Sequence, residues 1–403
     1  MKVVKFPDQR QRINIFSKTI ADADKHNVNS LMTELKLIFI LFALLGIDVD
    51  KQVNASNRNR TKHSYKGARI QRMKTCIGTC LKSLIYIIFF VKVLINTSYM
   101  VYAEDKRTVF TLFVLIVLKF LLYVSIYKKR RQIFRLTNDL NKALKALNVS
   151  TLSNMAKKFN LSCIVVLAIV LTWAAVSFCL GFSSLKAERF YFIQSNTSLI
   201  SYIPYIVQVI EFPYWIVADT ILCLFVFYYV FICKIIRILF RNFQKQLGRT
   251  HSTRDFMNGI SCYEDILKNM NNFNEQFSIP AFLVVLITMM AVFRAGYKLA
   301  FKEYVTLHSG LALTFAVLFC FSVQLALMIS ACLTNEAKSV THCSVRRLFY
   351  RFCTDSFKFV SLKTDSSQST LTLGKIYQLD RSLIIASIAT LLTYGILLGT
   401  LGK

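Results

Sequence analysis

Two groups of residues in this sequence are placed to do chemistry, and neither is a catalytic set. The first centres on Asp219, four residues after Trp215 inside the apolar run 203–233. A carboxylate in hydrocarbon is costly unless it is paired, protonated or facing water. Lys92, Lys119 and Arg294, each in another apolar run, are the cations that could pair with it. Lys119 could instead snorkel to the inner interface, so a structural ion pair and a water-facing carboxylate are both open readings.

The second group lies in the last apolar run, Leu383 to Leu401, which reads LIIASIATLLTYGILLGTL and carries no charge. At about 100° per residue, Ser387, Thr390, Thr393, Tyr394 and Thr400 fall within an arc of roughly 140° that also holds Leu397 and Leu401. Gly395, Gly399 and Gly402 lie on the other side. Such a helix can turn its hydroxyls toward water and pack its small residues against a neighbour, as a pore-lining helix should. The same hydroxyls can bond back to their own i−4 carbonyls, which needs no pore.

Other chemistry is not expected. There is no Gly-rich phosphate loop, metalloprotease helix motif or G-x-S-x-G elbow, so the enzyme reading has no support. Cys76 and Cys80 form a CxxxC and His342 adjoins Cys343, yet no second pair stands at ligand spacing; no metal or other cofactor is expected.

The elements that must position these groups follow from composition. With 403 residues, 55% hydrophobic content and a mean hydropathy of +0.47, the chain reads as a multi-span, all-α membrane protein. Its net charge of +29 is informative by location, since 39 of the 50 Lys and Arg fall in residues 1–76, 128–160, 234–278 and 334–382. Segments 96–108, 183–202 and 297–306 hold two each. The positive-inside rule puts the four rich blocks in the cytoplasm and the three poor ones outside. The charge therefore reports topology and contact with an anionic inner leaflet, and calls for no nucleic-acid partner. None of the 11 cysteines falls in an expected outer loop, Cys179 coming nearest, so an extracellular disulfide framework is not expected.

Along the chain, no cleavable signal peptide is read at the N-terminus. Residues 1–76 form a cytoplasmic N-terminal region containing the 11-residue apolar run Leu37 to Ile47, too short to cross and suited to a re-entrant or interfacial segment. Residues 77–333 hold six spans, near Ile77–Ile95, Val109–Tyr127, Leu161–Phe182, Ile203–Cys233, Ile279–Gly296 and Leu307–Leu333. Residues 334–382 make a cytoplasmic anchor region whose stretch Thr364 to Thr370 reads as a linker, and 383–403 form the seventh span. Sequons at Asn96 and Asn196 fall in outer loops on this layout, whereas Asn54, Asn59, Asn148 and Asn160 fall in cytoplasmic segments. Past the fourth span, Ile235, Ile236, Leu239, Phe240, Phe243 and Leu247 keep an apolar stripe among Lys234, Arg237, Arg241 and Lys245. Tyr263, Ile266, Leu267, Met270, Phe273 and Phe277 do the same ahead of the fifth. These stripes predict a helical intracellular domain built from span extensions. No internal repeat is visible, which counts against inverted-repeat transporters.

The end of the chain, LTLGKIYQLDRSLIIASIATLLTYGILLGTL, resembles the last-helix signature of insect gustatory receptors. Leu379 and Asp380 match its Leu/Ile-Asp step, and Thr393 and Tyr394 match its Thr-Tyr. Thr400 and Leu401 stand where the family has Gln and Phe. Cys332 followed by Glu336 and Ala337 is similar to the family's exit from the sixth span. The resemblance covers the whole chain as a plan and about its last 70 residues as motif. It implies a tetrameric ligand-gated cation channel in the plasma membrane of sensory neuron dendrites, homomeric or mixed with other gustatory subunits. Each last helix would line a central pore, with Thr400 and Leu401 at the outer gate, where converging leucines block ions by dewetting.

The resemblance also implies a pocket for a small-molecule tastant in the outer halves of the other spans. Trp173, Phe178, Tyr205, Gln208, Glu211, Tyr214, Trp215, Asp219, Met290, Phe293 and His308 are the outer-half residues that could form it. Aromatics with a few convergent polar groups suit such a site, and the same aromatics serve equally as packing or interface anchors. Three other classes compete. A G-protein-coupled receptor shares seven spans but not the inside N-terminus; a transporter would use a midplane carboxylate such as Asp219; an insect odorant receptor subunit has the same plan, and the Thr-Tyr placement favours taste.

Overall fold

The computed structural model describes residues 35–47, 65–102, 106–147, 157–172, 175, 203–249, 253–301, 307–352 and 370–401. Among these residues the chain forms eight helices and one small hairpin. They are α1 (Lys36–Leu44), α2 (Tyr65–Tyr102), α3 (Lys106–Ala146), α4 (157–172), α5 (Ile203–Leu247), α6 (Thr253–Phe301), α7 (Leu307–Phe352), β1 (Thr372–Leu373), β2 (Tyr377–Gln378) and α8 (Arg381–Leu401). Five of the helices are long and apolar enough to cross a membrane, over Cys76–Ser98, Val109–Ala146, Glu211–Leu247, Gly259–Leu299 and Gly310–Tyr350. The expected third span is described only as far as α4, and its remainder lies outside the described residues, as do Asn196 and most of the expected linker.

Helices α5, α6 and α7 contain 45, 49 and 46 residues. At 1.5 Å per residue each is about 70 Å long, more than twice the thickness of a bilayer's hydrocarbon core. Pro213 and Pro280 are accommodated within α5 and α6. The surplus length is packed: Ile235, Ile236, Leu239, Phe240, Phe243 and Leu247 on α5 and Tyr263, Ile266, Leu267, Met270, Phe273 and Phe277 on α6 are all buried. Their rings interlock, with Phe243 stacked on Tyr263 at 5.5 Å and Tyr229 against Phe273 at 4.9 Å. Because these stripes close on one another within a single chain, the extensions continue the core of the bundle at its basic end.

Helix α5 is the central element, touching α1, α2, α3, α6 and α7. It is apolar on all sides from Ile221 to Phe231, as a helix surrounded by others must be. Helices α2 and α7 instead turn Leu84, Ile87, Phe90, Leu94, Leu311 and Leu318 outward, the composition of a lipid-facing surface. The short α1 buries Ile38 and Phe42 against this frame, with Phe42 edge-on to Tyr228 at 6.4 Å. It ends at Gly46, whose φ of +69° favours glycine and where a Cβ would meet the Lys82 backbone at 2.9 Å. Nine residues span about 14 Å, so α1 lies against the bundle without the length to cross it.

Candidate functional site

Two sites follow from this frame, one at the end where α2 stops and α5 begins (the short-loop end), the other at the base of α8. At the first, Glu211, Trp215 and Asp219 recur every four residues and so share one face of α5. On α2, Lys92 and Asn96 stand one turn apart, 1% and 2% exposed. Lys92 forms an ion pair with Glu211, and Lys119 of α3 forms another with Asp219 at 2.5 Å. Lys119 therefore does not snorkel: its ammonium sits 4.4 Å from the centre of the Trp215 ring, a cation–π contact that adds to the ion pair. Of the three cations the sequence offers to Asp219, Lys119 is the one in contact.

Rings close the space around these charges. Tyr214 lies edge-on to Phe89 at 5.3 Å and to Trp215 at 5.4 Å. Arg294 of α6 lies within electrostatic reach of Glu211 and Tyr214. Three buried polar atoms here have no hydrogen-bond partner: Asn96 Nδ2, Tyr214 Oη and Arg294 Nε. Asn96 differs from its reading as a glycan acceptor in an outer loop, because α2 continues through it to Tyr102 and buries its side chain; a glycan needs an accessible acceptor. Its signal was in the sequence as a second polar residue one turn after Lys92, obscured by the sequon.

The structure thus brings together Glu211, Trp215 and Asp219, with Tyr214, Lys92, Lys119 and Arg294. Phe293 is 39% exposed on α6, and Met290 packs on the core. Trp173 and Phe178 lie outside the described residues. Tyr205, Gln208 and His308 are on α5 and α7, with their side chains outside the described residues. Among the described residues no three metal-ligating side chains converge, and the nine described cysteines are free.

The second site is the mounting of α8. Asp380 caps this helix, its Oδ1 accepting from the Leu383 backbone N–H at 2.9 Å and from the Ser382 hydroxyl at 2.9 Å. The Leu383 amide, foremost, holds the Asp380 carboxyl below the usual carboxylate range. A depressed carboxylate stabilises the fold above its unfolded pKa, and the contribution is lost as pH falls through the folded value. Replacing Asp380 by Ala is expected to cost about 1 kcal/mol of helix stability, read as faster amide exchange in the first turn of α8.

Next to the cap, the Arg381 guanidinium grips Glu336 of α7 with both arms, Nε to Oε1 at 2.5 Å and Nη2 to Oε2 at 2.9 Å. The Cys332 thiol donates to the same carboxylate at 3.6 Å. These groups, with Asn335, Ser339 and residues 378–382, border a cavity of about 390 Å³. The hairpin before the cap was not foreseen from the sequence. Gly374 and Lys375 take φ of +60° and +62°, and Ile376 N–H closes the turn on the Leu373 carbonyl at 3.0 Å. Gly374 also lies over the Phe282 ring, where a Cβ would approach to 3.4 Å.

Along α8 the hydroxyls of Ser387, Thr390 and Thr393 donate to the carbonyls of Ile384, Ala386 and Ala389 at 2.8–2.9 Å. Leu383 and Ile384 pack on the core. Ser387 is half-buried beside Met328 of α7, whereas Thr390 and Thr393 stand clear of this chain's other helices. Tyr394, Leu397, Thr400 and Leu401 continue the helix, with side chains outside the described residues.

Comparison with known proteins places this geometry. No protein-family model matches the sequence. No curated protein matches it either. Solved structures do match. The insect olfactory receptor OR5 from Machilis hrabei in complex with eugenol aligns with a TM-score of 0.63 at 14% identity, covering 92% of this chain and 98% of that one. A second structure of the same receptor aligns with a TM-score of 0.60 at 14% identity, over 91% of this chain and 98% of that one. At that identity the likeness is one of architecture, and with it, and the five helices long enough to cross a bilayer, the chain is a multi-pass helical membrane protein with a fold similar to that of the olfactory receptor OR5.

Proposed function

We propose that this chain is a subunit of a gustatory-type, ligand-gated, non-selective cation channel. A small-molecule tastant held at the short-loop end opens a pore lined by α8 from each of four subunits, identical or mixed, in the plasma membrane of a sensory neuron. In this layout residues 1–76 and 334–382 are cytoplasmic, 77–333 carry six spans and the ligand pocket, and 383–403 form the pore helix. The observation that carries the reading is α8 itself: uncharged over Leu383–Leu401, tied at its base to α7 by Arg381 and Glu336, and presenting Thr390 and Thr393 away from its own chain. The Thr390 and Thr393 hydroxyls are already satisfied by the Ala386 and Ala389 carbonyls, so the support lies in the flank being left uncovered by its own chain, which suits a water-lined pore or a second copy.

The olfactory receptor of the same fold is described in complex with eugenol, a precedent for a small aromatic ligand in this architecture. The Thr393-Tyr394 step favours taste over the second reading, an odorant receptor subunit. A G-protein-coupled-type receptor is disfavoured by the charge distribution, which puts the N-terminus inside.

The test is expression of the full chain in cells lacking other chemoreceptors, with a ligand panel and patch recording. A ligand-evoked cation current without added G protein is the expected result. Substitutions of Thr400 and Leu401 are expected to alter gating or ion selectivity; an unchanged current at confirmed surface expression removes the gate assignment. Trp215→Ala and Asp219→Asn are expected to shift ligand potency while unitary conductance stays the same, and a change in conductance would take those residues out of the pocket.

A further inference from the structure

We propose that the short-loop end of the bundle binds the carboxylate of a small aromatic acid through Arg294, Asn96 and Tyr214, beside the Lys92–Glu211 pair. The argument begins from charge. Among the described residues this cluster sets three cations, Lys92, Lys119 and Arg294, against two carboxylates, Glu211 and Asp219. Lys92 takes Glu211 and Lys119 takes Asp219, which leaves one positive charge in surplus. Arg294 faces the same Glu211 that Lys92 takes, so the two cations share one carboxylate, and a guanidinium only half compensated inside an apolar helical bundle is expensive. Among the described residues the pairing is completed by one further negative charge, which favours a monoanion over a phosphate with its second charge.

Hydrogen bonding selects the same chemistry. The three unpartnered buried atoms of the cluster, Arg294 Nε, Asn96 Nδ2 and Tyr214 Oη, can all donate. Asn96 and Tyr214 are 2% and 0% exposed, so solvent does not satisfy them. An orphaned buried donor costs about 1–3 kcal/mol, and the donors of Arg294 and Tyr214, within electrostatic reach of each other, with Asn96 one turn along α2 from Lys92, call for an acceptor with several lone pairs. A carboxylate offers two oxygens and about four lone-pair sites, and its plane matches the guanidinium fork. The rings of Phe89, Tyr214 and Trp215 beside these donors suit an aromatic body behind that head group. A ligand that is neutral, or that mainly donates hydrogen bonds, finds no such complement.

This inference rests on reading the short-loop end as the ligand end, and its test is chosen to be independent of conductance. The chain contains two tryptophans, so a Trp173→Phe background leaves Trp215 as the only indole, in contact with the cluster. The full chain, purified into phosphatidylcholine nanodiscs, is titrated with benzoate and with its neutral isostere benzamide while Trp215 fluorescence is followed. Benzoate is expected to give a saturable change, with benzamide at least tenfold weaker. Arg294→Gln is expected to lose at least tenfold in benzoate affinity and nothing for benzamide, and Arg294→Lys to retain part of the preference.

Because Arg294→Gln could fail to fold, the benzoate-to-benzamide ratio on the unsubstituted cluster is decisive by itself. Equal affinity for the two, or no saturable change, overturns the proposal. Displacement of benzoate by equimolar chloride overturns it in favour of an inorganic-anion site. If phosphatidylglycerol in the discs shifts Trp215 fluorescence through Arg294 while benzoate does nothing in phosphatidylcholine, the site is a lipid-headgroup site and the proposal falls. A channel that gates normally yet shows no benzoate preference sinks the anion site alone, leaving the channel reading in place.

Discussion

Asp219→Asn is expected to destabilise the helical bundle by about 3 kcal/mol, measured by thermal unfolding of the purified chain in detergent or nanodiscs. The mutation removes the carboxylate that, among the described residues, contacts the Lys119 ammonium, whose side chain is 6% exposed. Breaking a buried pair by deleting one member strands the other charge at a cost of about 3–5 kcal/mol. The lower figure applies because Asp219 itself is 24% exposed. Trp215 recovers little of the loss, since a cation–π contact contributes about 0.5–2 kcal/mol and is already present. Replacing both partners, Lys119→Met with Asp219→Leu, is expected to restore most of the stability, because an apolar pair of similar volume carries no desolvation penalty. A single mutant as stable as the parent would mean that the pair does not hold the bundle. The double mutant also sharpens the functional test: a potency shift that persists once stability is restored belongs to ligand recognition.

Asn335→Leu is expected to release the hairpin and loosen the base of α8, at a cost of about 3 kcal/mol or more. One buried side chain serves three backbone groups. Its Oδ1 accepts from the Leu371 N–H at 2.9 Å, and its Nδ2 donates to the carbonyls of Leu371 at 3.1 Å and Leu379 at 2.8 Å. Leu371 and Leu379 are fully buried, so no water replaces a lost bond. The Leu371 carbonyl keeps the Leu379 N–H at 3.1 Å, and the two groups left stranded, the Leu371 N–H and the Leu379 carbonyl, cost about 1–3 kcal/mol each. The remaining ties to other helices lie nearer the turn: Asn274 Oδ1 accepts from the Thr372 N–H at 2.8 Å and from its hydroxyl at 3.1 Å, and the Ser278 carbonyl from the Gly374 N–H at 3.1 Å. Asn335→Asp is the informative control, because it can still accept from Leu371 but cannot donate to either carbonyl when ionised. Hydrogen exchange at the Leu371 and Leu379 amides reads the effect directly; unchanged protection in both variants would show that the apolar contacts of Leu371, Leu373 and Leu379 hold the hairpin unaided. Since Leu379 is followed by the cap residue Asp380 and by Arg381, the same clamp fixes where α8 starts.

Much of the architecture was legible one segment at a time. Apolar runs long enough to cross a bilayer reveal themselves by composition, because a bilayer core excludes any backbone that cannot satisfy its own hydrogen bonds. The stripes on the extensions of α5 and α6 were equally plain, since a 3.6-residue period needs no knowledge of the partner surface. Asp219 and Trp215 announced themselves as a polar residue and an aromatic one turn apart in an apolar setting.

What the sequence by itself determined, then, is which segments leave water, which faces of them are apolar, and that Asp219 needed compensation. The tertiary structure alone decided what supplies it. Lys92, Lys119 and Arg294 are indistinguishable as counter-ions along the chain, and the choice of Lys119 depends on contacts 100 residues apart in sequence, as the Lys92–Glu211 pair depends on contacts 119 apart. The hairpin before α8 was hidden for the same reason: two strands of two residues carry almost no periodic signal, and they persist because Asn335, Asn274 and the Ser278 carbonyl, all on distant helices, take up their backbone groups. Short-range pattern reports what a segment must bury, whereas the partner it is buried against is set by how the long helices pack, a property of the whole bundle.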